Sequence, residues 1–165
     1  MTPRRAGLTV AALQGSLLLL VGGQLLLDRL LEPHGWARSA PVDPELPIRG
    51  RYVTLQLQVP AAAVDSGSTS VGLTVTNGHL QAVPAGDRRQ VGEAQPAWIR
   101  QGSHGPEAVL HRPLAFFLPP DVADPSQRPG GETLWVEVTL PPQGPPRPIR
   151  LGLERQGRLQ PLQLR

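Results

Sequence analysis

The chain has 165 residues and a formal net charge of +3, and it contains neither lysine nor cysteine. These absences exclude disulfides, zinc–thiolate sites, iron–sulfur clusters, cysteine nucleophiles and a serine–lysine dyad. The arginines are scattered and not interleaved with aromatic residues, so no nucleic-acid partner is expected; with 39% hydrophobic but only 4% aromatic residues, the core should be aliphatic.

The N-terminal stretch reads "MTPRRAGLTVAALQGSLLLLVGGQLLLDRLL" and carries no charge between Arg5 and Asp28. As a helix, that run spans about 33 Å at ~1.5 Å per residue, enough for a hydrocarbon core of roughly 30 Å. A lone span must be helical, because only a helix satisfies every backbone amide internally. Arg4, Arg5 and the terminal amine precede it, while Asp28, Arg29 and Glu32 nearly cancel after it. The positive-inside rule therefore places the N-terminus in the cytoplasm and residues 32–165 outside. A cleaved signal peptide is the competing reading. Its best small-residue site, Ala37-Arg38-Ser39-Ala40, is followed by Pro41, which disfavours cleavage. The expectation is thus an uncleaved anchor over residues 1–31, with Trp36 either at the outer membrane interface or in an ordinary domain contact.

Residues 32–47 hold Pro33, Pro41, Pro44 and Pro47, and each fixes φ and disfavours helix before it. This predicts an extended proline-rich linker, with the folded domain covering 48–165. From Tyr52 the chain alternates strictly: Val53, Leu55, Leu57 and Val59 on one face, Tyr52, Thr54, Gln56 and Gln58 on the other. Period two with one polar face is a half-buried strand. Val71, Leu73 and Val75 repeat the pattern, and Asn77-Gly78 predicts a two-residue hairpin turn before a return strand at 80–84. Residues 107–118 form a strand region broken at Pro113. Leu134, Val136, Val138 and Leu140 share one face of the next strand. A last hairpin has Ile149, Leu151 and Leu153 inward, a turn near Gln156-Gly157 and a strand through Leu164. Prolines 113, 148 and 161 should lie at edges or bulges. The fold class is all-β, a small antiparallel sandwich or barrel preceded by one transmembrane helix.

Gly50-Arg51-Tyr52-Val53-Thr54-Leu55-Gln56-Leu57 resembles the motif that names the GDYXXLXP family of membrane-anchored bacterial proteins. The glycine, tyrosine and leucine match; Arg51 stands where the family has aspartate and Leu57 where it has proline. "PVDPELPIRG" looks like the family's lead-in, and "LAFFLPPD" and "GETLWVEVTLPPQGPPRPIRLGLERQGRLQPL" look like its later segments. The likeness covers roughly residues 40–164. It implies an N-terminal anchor and an external β-domain, with no established activity to carry over. Family members resemble accessory proteins encoded beside multi-pass membrane proteins, which implies a partner of that kind. If the family's aspartate did chemistry, Arg51 would mark its loss here.

The candidate interaction motif is Arg49, Gly50, Arg51, Tyr52 and Leu55, facing lipid head groups or a partner's acidic loop. Its competing reading is a pair of solvated arginines matched with Asp43 or Glu45, since exposed ion pairs seldom mark function. A Ser/His/Asp triad lacks any nucleophile-elbow sequence around Ser66, Ser68 or Ser103. His104 and His111 with Glu107 between them read as an accidental surface set, and His79 as a polar residue flanking a turn. No cofactor is expected. The leading expectation is a noncatalytic accessory module of the cell envelope that binds a membrane protein or envelope component. The alternatives are a hydrolase using acidic residues such as Asp43 and Glu45, or a purely structural envelope protein.

Overall fold

The computed structural model describes residues 3–42, 52–119, 122, 125 and 131–163. The chain forms two compact units, Met1–Glu32 and Pro33–Arg165. The first is a single helix, α1 (Pro3–Leu31). Within it, Val10–Leu27 is long and apolar enough to cross a membrane, and none of that window is buried inside the protein. Leu18, Leu19 and Leu20 are 73%, 79% and 71% exposed. Three successive positions point in directions about 100° apart, so this helix offers no polar side to water.

The second unit is all β. Its strands are β1 (His34–Val42), β2 (Tyr52–Pro60), β3 (Ser70–Thr76), β4 (His79–Pro84), β5 (Val91–Gly102), β6 (Gly105–Leu110), β7 (Leu114–Phe117), β8 (Thr133–Thr139), β9 (Arg147–Arg155) and β10 (Arg158–Pro161). They make one sheet that curls back on itself. Pairings run β1–β2–β6–β5–β3–β4 and return to β1, the closing link being a single parallel bridge between Trp36 and His79. β8, β9 and β10 extend from the other edge of β1, and β7 continues alongside β2.

The expected linker over 32–47 is corrected by this arrangement: residues 34–42 are β1, a strand with both edges occupied. Pro41 is tolerated there for a local reason. Even-numbered β1 residues turn their amides toward β4 and β2, as the bond from Trp36 N to Gly78 O (2.9 Å) marks. Odd-numbered residues turn toward β8, whose ladder runs only from His34↔Thr139 to Arg38↔Trp135. Pro41 lies beyond that ladder, where its missing N–H breaks nothing. The folded unit therefore begins at Pro33, whose carbonyl accepts from Leu140 N at 2.8 Å, and not at residue 48.

The alternations read from the sequence hold. Val53, Leu55, Leu57 and Val59 are buried, as are Val71 and Leu73 of β3 and Leu134, Val136 and Val138 of β8. The core is aliphatic, with Phe116 packed against it. Asn77 and Gly78 have φ of 51° and 77°, and Gln156 and Gly157 have φ of 50° and 75°. Both pairs meet the positive-φ requirement of a tight hairpin turn. Pro113 lies in the break between β6 and β7, Pro161 on the terminal strand β10, and Pro148 beside a register shift between Glu137 and Val138. That shift leaves Ile149 unpaired and half-buried, where the alternation had placed it inward. β10 ends at Pro161, earlier than the expected Leu164, which lies outside the described residues; Leu162 N still donates to Leu151 O (2.8 Å).

Leu55 is fully buried and Thr54 beside it faces outward. Leu55→Ala should cost about 2–5 kcal/mol through lost burial and a cavity, whereas Thr54→Ser should stay within about 0.5 kcal/mol. Denaturant unfolding of both variants checks this, and equal losses would refute the register of β2.

Candidate functional site

Of the sequence-derived motif, Arg49, Gly50 and Arg51 lie outside the described residues, as do Asp43 and Glu45. The two described members part company. Leu55 is 0% exposed and belongs to the core, so its assignment to an interaction surface is corrected: a partner could reach it only by opening the sheet. Tyr52 faces outward at the start of β2. It stands opposite Phe117 of β7, ring centroids 6.2 Å apart and tilted by 55°. Phe117 is 75% exposed and Val42, across β2 at the end of β1, is 38% exposed. This end of the sheet thus presents an apolar and aromatic patch, the kind of surface that anchors interfaces.

A second, more polar surface is built on the outer face around β1. All three tryptophans, Trp36, Trp98 and Trp135, lie on outward-facing strand positions. Trp36 sits beside Glu137, whose carboxylate accepts from Arg150 Nε, and the Arg150 guanidinium lies 5.4 Å over the Trp36 ring. Trp135 donates Nε1–H to Glu154 Oε2 (2.8 Å) and meets His79 edge-on at 5.3 Å. Arg38 lies 5.8 Å over Trp135. Trp36 is therefore a contact within the β-unit. Gly152 makes room for it: a Cβ there would stand 2.6 Å from the Trp36 ring.

Next to this layer, Glu107 of β6 is buried to 7% exposure. Arg38 NH1 lies 3.5 Å from its Oε1 and Arg100 NH2 lies 3.3 Å from its Oε2. A buried carboxylate is tolerated only when paired and hydrogen-bonded, and these two guanidiniums supply that. At the β5–β6 turn, His104 Nδ1 lies 2.9 Å from Ser103 Oγ and 3.4 Å from Arg38 NH1. Arginine can only donate, so Nδ1 is an acceptor there. The lone pair that would serve as a general base toward Ser103 is shared with a cation, which opposes nucleophilic chemistry. His111 is engaged elsewhere, its ring 4.9 Å from Trp98. Among the described residues no group of three or more histidine and acidic side chains is arranged to hold a metal. In the loop after β4, the Arg89 guanidinium bonds the Asp87 carboxylate and holds its pKa below the ordinary value. Arg89 is exposed and Asp87 half-buried, and the pair belongs to the turn.

No family model matches the chain, and neither a curated protein nor a solved structure matches it.

Sequence reasoning overlooked Arg38 and Arg100 and set Glu107 aside. The signal lay in their phase. Once Ala37 and Ala97 are known to be inward, Arg38 and Trp98 must be outward, and Arg100 shares the face of Trp98.

Gly152→Ala should destabilise the domain by about 1–3 kcal/mol through overpacking against Trp36. In a Trp36→Ala background the same substitution should cost much less. A double-mutant cycle by denaturant unfolding measures this coupling; strict additivity would mean that the Trp36 ring does not occupy the space over Gly152.

Proposed function

We propose that the protein is a membrane-anchored, noncatalytic accessory module of the bacterial cell envelope, of the GDYXXLXP type. It sits in the inner membrane with its N-terminus in the cytoplasm and its β-unit in the periplasm, where it binds a multi-pass membrane protein. The observation that carries this reading is α1, whose apolar window Val10–Leu27 finds no cover inside the protein. Lipid is the solvent that suits such a helix, and Arg4 and Arg5 before it favour the stated orientation.

The position of β1 supports the uncleaved form. Cleavage after Ala40 would remove His34–Ala40, most of a strand that pairs with β2, β4 and β8. A signal peptide is dispensable to the mature fold, and this segment is not. A chain anchored by one helix meets its partners at the membrane, so a neighbouring transmembrane protein is the natural partner. Tyr52 and Phe117, aromatic and accessible, are the proposed contact.

A reporter fused after Arg165 should be active only in the periplasm, and the mature chain should retain α1. A photo-crosslinking residue at position 117 should capture a specific membrane protein in native membranes, with Tyr52→Ala weakening capture while leaving unfolding stability nearly unchanged. Cytoplasmic reporter activity, or a mature N-terminus near residue 41, would refute the anchor. Identical capture from the Tyr52→Ala variant would refute the contact.

A further inference from the structure

The pairing of Arg38 and Arg100 on one carboxylate does more than neutralise it. Each guanidinium addresses a different oxygen of Glu107, so both converge on a single small anionic group. Their side chains remain 27% and 46% exposed while that of Glu107 is 9% exposed. The carboxylate therefore closes the inner side, and the guanidiniums reach solvent above it. A guanidinium carries five N–H donors, more than the contacts to Glu107 consume.

Two arginines face one carboxylate, so this cluster itself carries one positive charge in excess. On the same face Glu137 is neutralised by Arg150, while Glu154, hydrogen-bonded to the neutral Trp135 Nε1–H, keeps its own charge. Arg38 is also held in place: Trp135 lies beneath it, Glu107 is at one end and His104 Nδ1 accepts from it, with Ser103 Oγ 2.9 Å from the same nitrogen. A guanidinium fixed in advance loses less entropy when it binds an anion.

We propose that Arg38 and Arg100 form a binding site for a phosphate group, with Glu107 as the internal carboxylate that orients both guanidiniums and competes with the ligand. The site is separate from the Tyr52–Phe117 patch and does not depend on the anchor reading. Phosphate suits paired guanidiniums because its oxygens accept several N–H bonds at once. The group belongs either to a lipid head or to a soluble phosphate ester.

The test uses the full chain in nonionic detergent micelles, titrated with inorganic phosphate against chloride at matched ionic strength. Tryptophan fluorescence is the readout, because Arg38 covers Trp135. The wild type should respond saturably to phosphate. Arg100→Gln should weaken binding at least about tenfold. Glu107→Gln should tighten it, by about fivefold or more, since the competing charge is gone. Near-UV circular dichroism verifies that each variant keeps its fold, and if Glu107→Gln unfolds, the Arg100→Gln comparison decides alone. No saturable response in the wild type, undiminished binding in Arg100→Gln, or weaker binding in a folded Glu107→Gln overturns the proposal. Nanodiscs of phosphatidylcholine, with and without phosphatidic acid, then separate the sources. Suppression of the phosphate response only in phosphatidic-acid discs assigns the site to a lipid head, and equal responses assign it to a soluble ester.

Discussion

The two-sided pairing of β1 is the constraint on which the rest of the β-unit depends. One edge carries the ladder to β8, and through it β9 and β10; the other carries β2 along Arg38–Val42 and β4 at Trp36. Without β1 the circuit of strands opens and the β8–β9–β10 extension loses its attachment. The chain has no disulfide to stand in for it, so ladder bonds and aliphatic packing must carry the whole stability.

The same strand dictates where the chemistry lies. Its inward side chains are small, with Gly35, Ala37 and Ser39 all buried. A Cβ at Gly35 would stand 3.2 Å from Val75 and 3.3 Å from the carbonyl of Gly78, which shows how closely the closing turn approaches. Large residues on β1 are therefore confined to the outer face, and Trp36 and Arg38 occupy it. There they organise an ionic and aromatic layer with Arg150, Glu137, Trp135, Glu107 and Arg100. The two faces of one strand divide the contacts: aliphatic packing inward, ion pairs and hydrogen bonds outward.

That division also explains which parts of the fold were legible. β2 and β8 bury Val and Leu at every second position, and the tight turns at Asn77-Gly78 and Gln156-Gly157 carry residues suited to positive φ. Local pattern and tertiary role agree there, and both were read directly. β1 reads as a linker in the sequence because its buried positions are glycine, alanine and serine and its proline is visible, while the reason that the proline is harmless is a ladder about a hundred residues away in sequence. β5 went unread for a related reason: its inward positions include Gln95, whose amide donates to the carbonyls of Glu93 and Gly144, and Ala97. A polar inward residue erases the alternation. The outer-face arginines are illegible because Arg38 and Glu107 meet only through the register of three strands, β1, β2 and β6. The Tyr52 position was recognised as outward-facing, but its aromatic neighbour Phe117 becomes adjacent only when β7 pairs with β2.

Amide hydrogen exchange across β1, read residue by residue in the full-length protein, tests this account most directly. If β1 closes the fold, the amides of Ala37 and Arg38 should exchange only through global unfolding, with the same free energy as those of Leu57 and Val136. Rapid exchange of residues 35–40, at the rates of an unstructured tether while β2 and β8 stay protected, would contradict it.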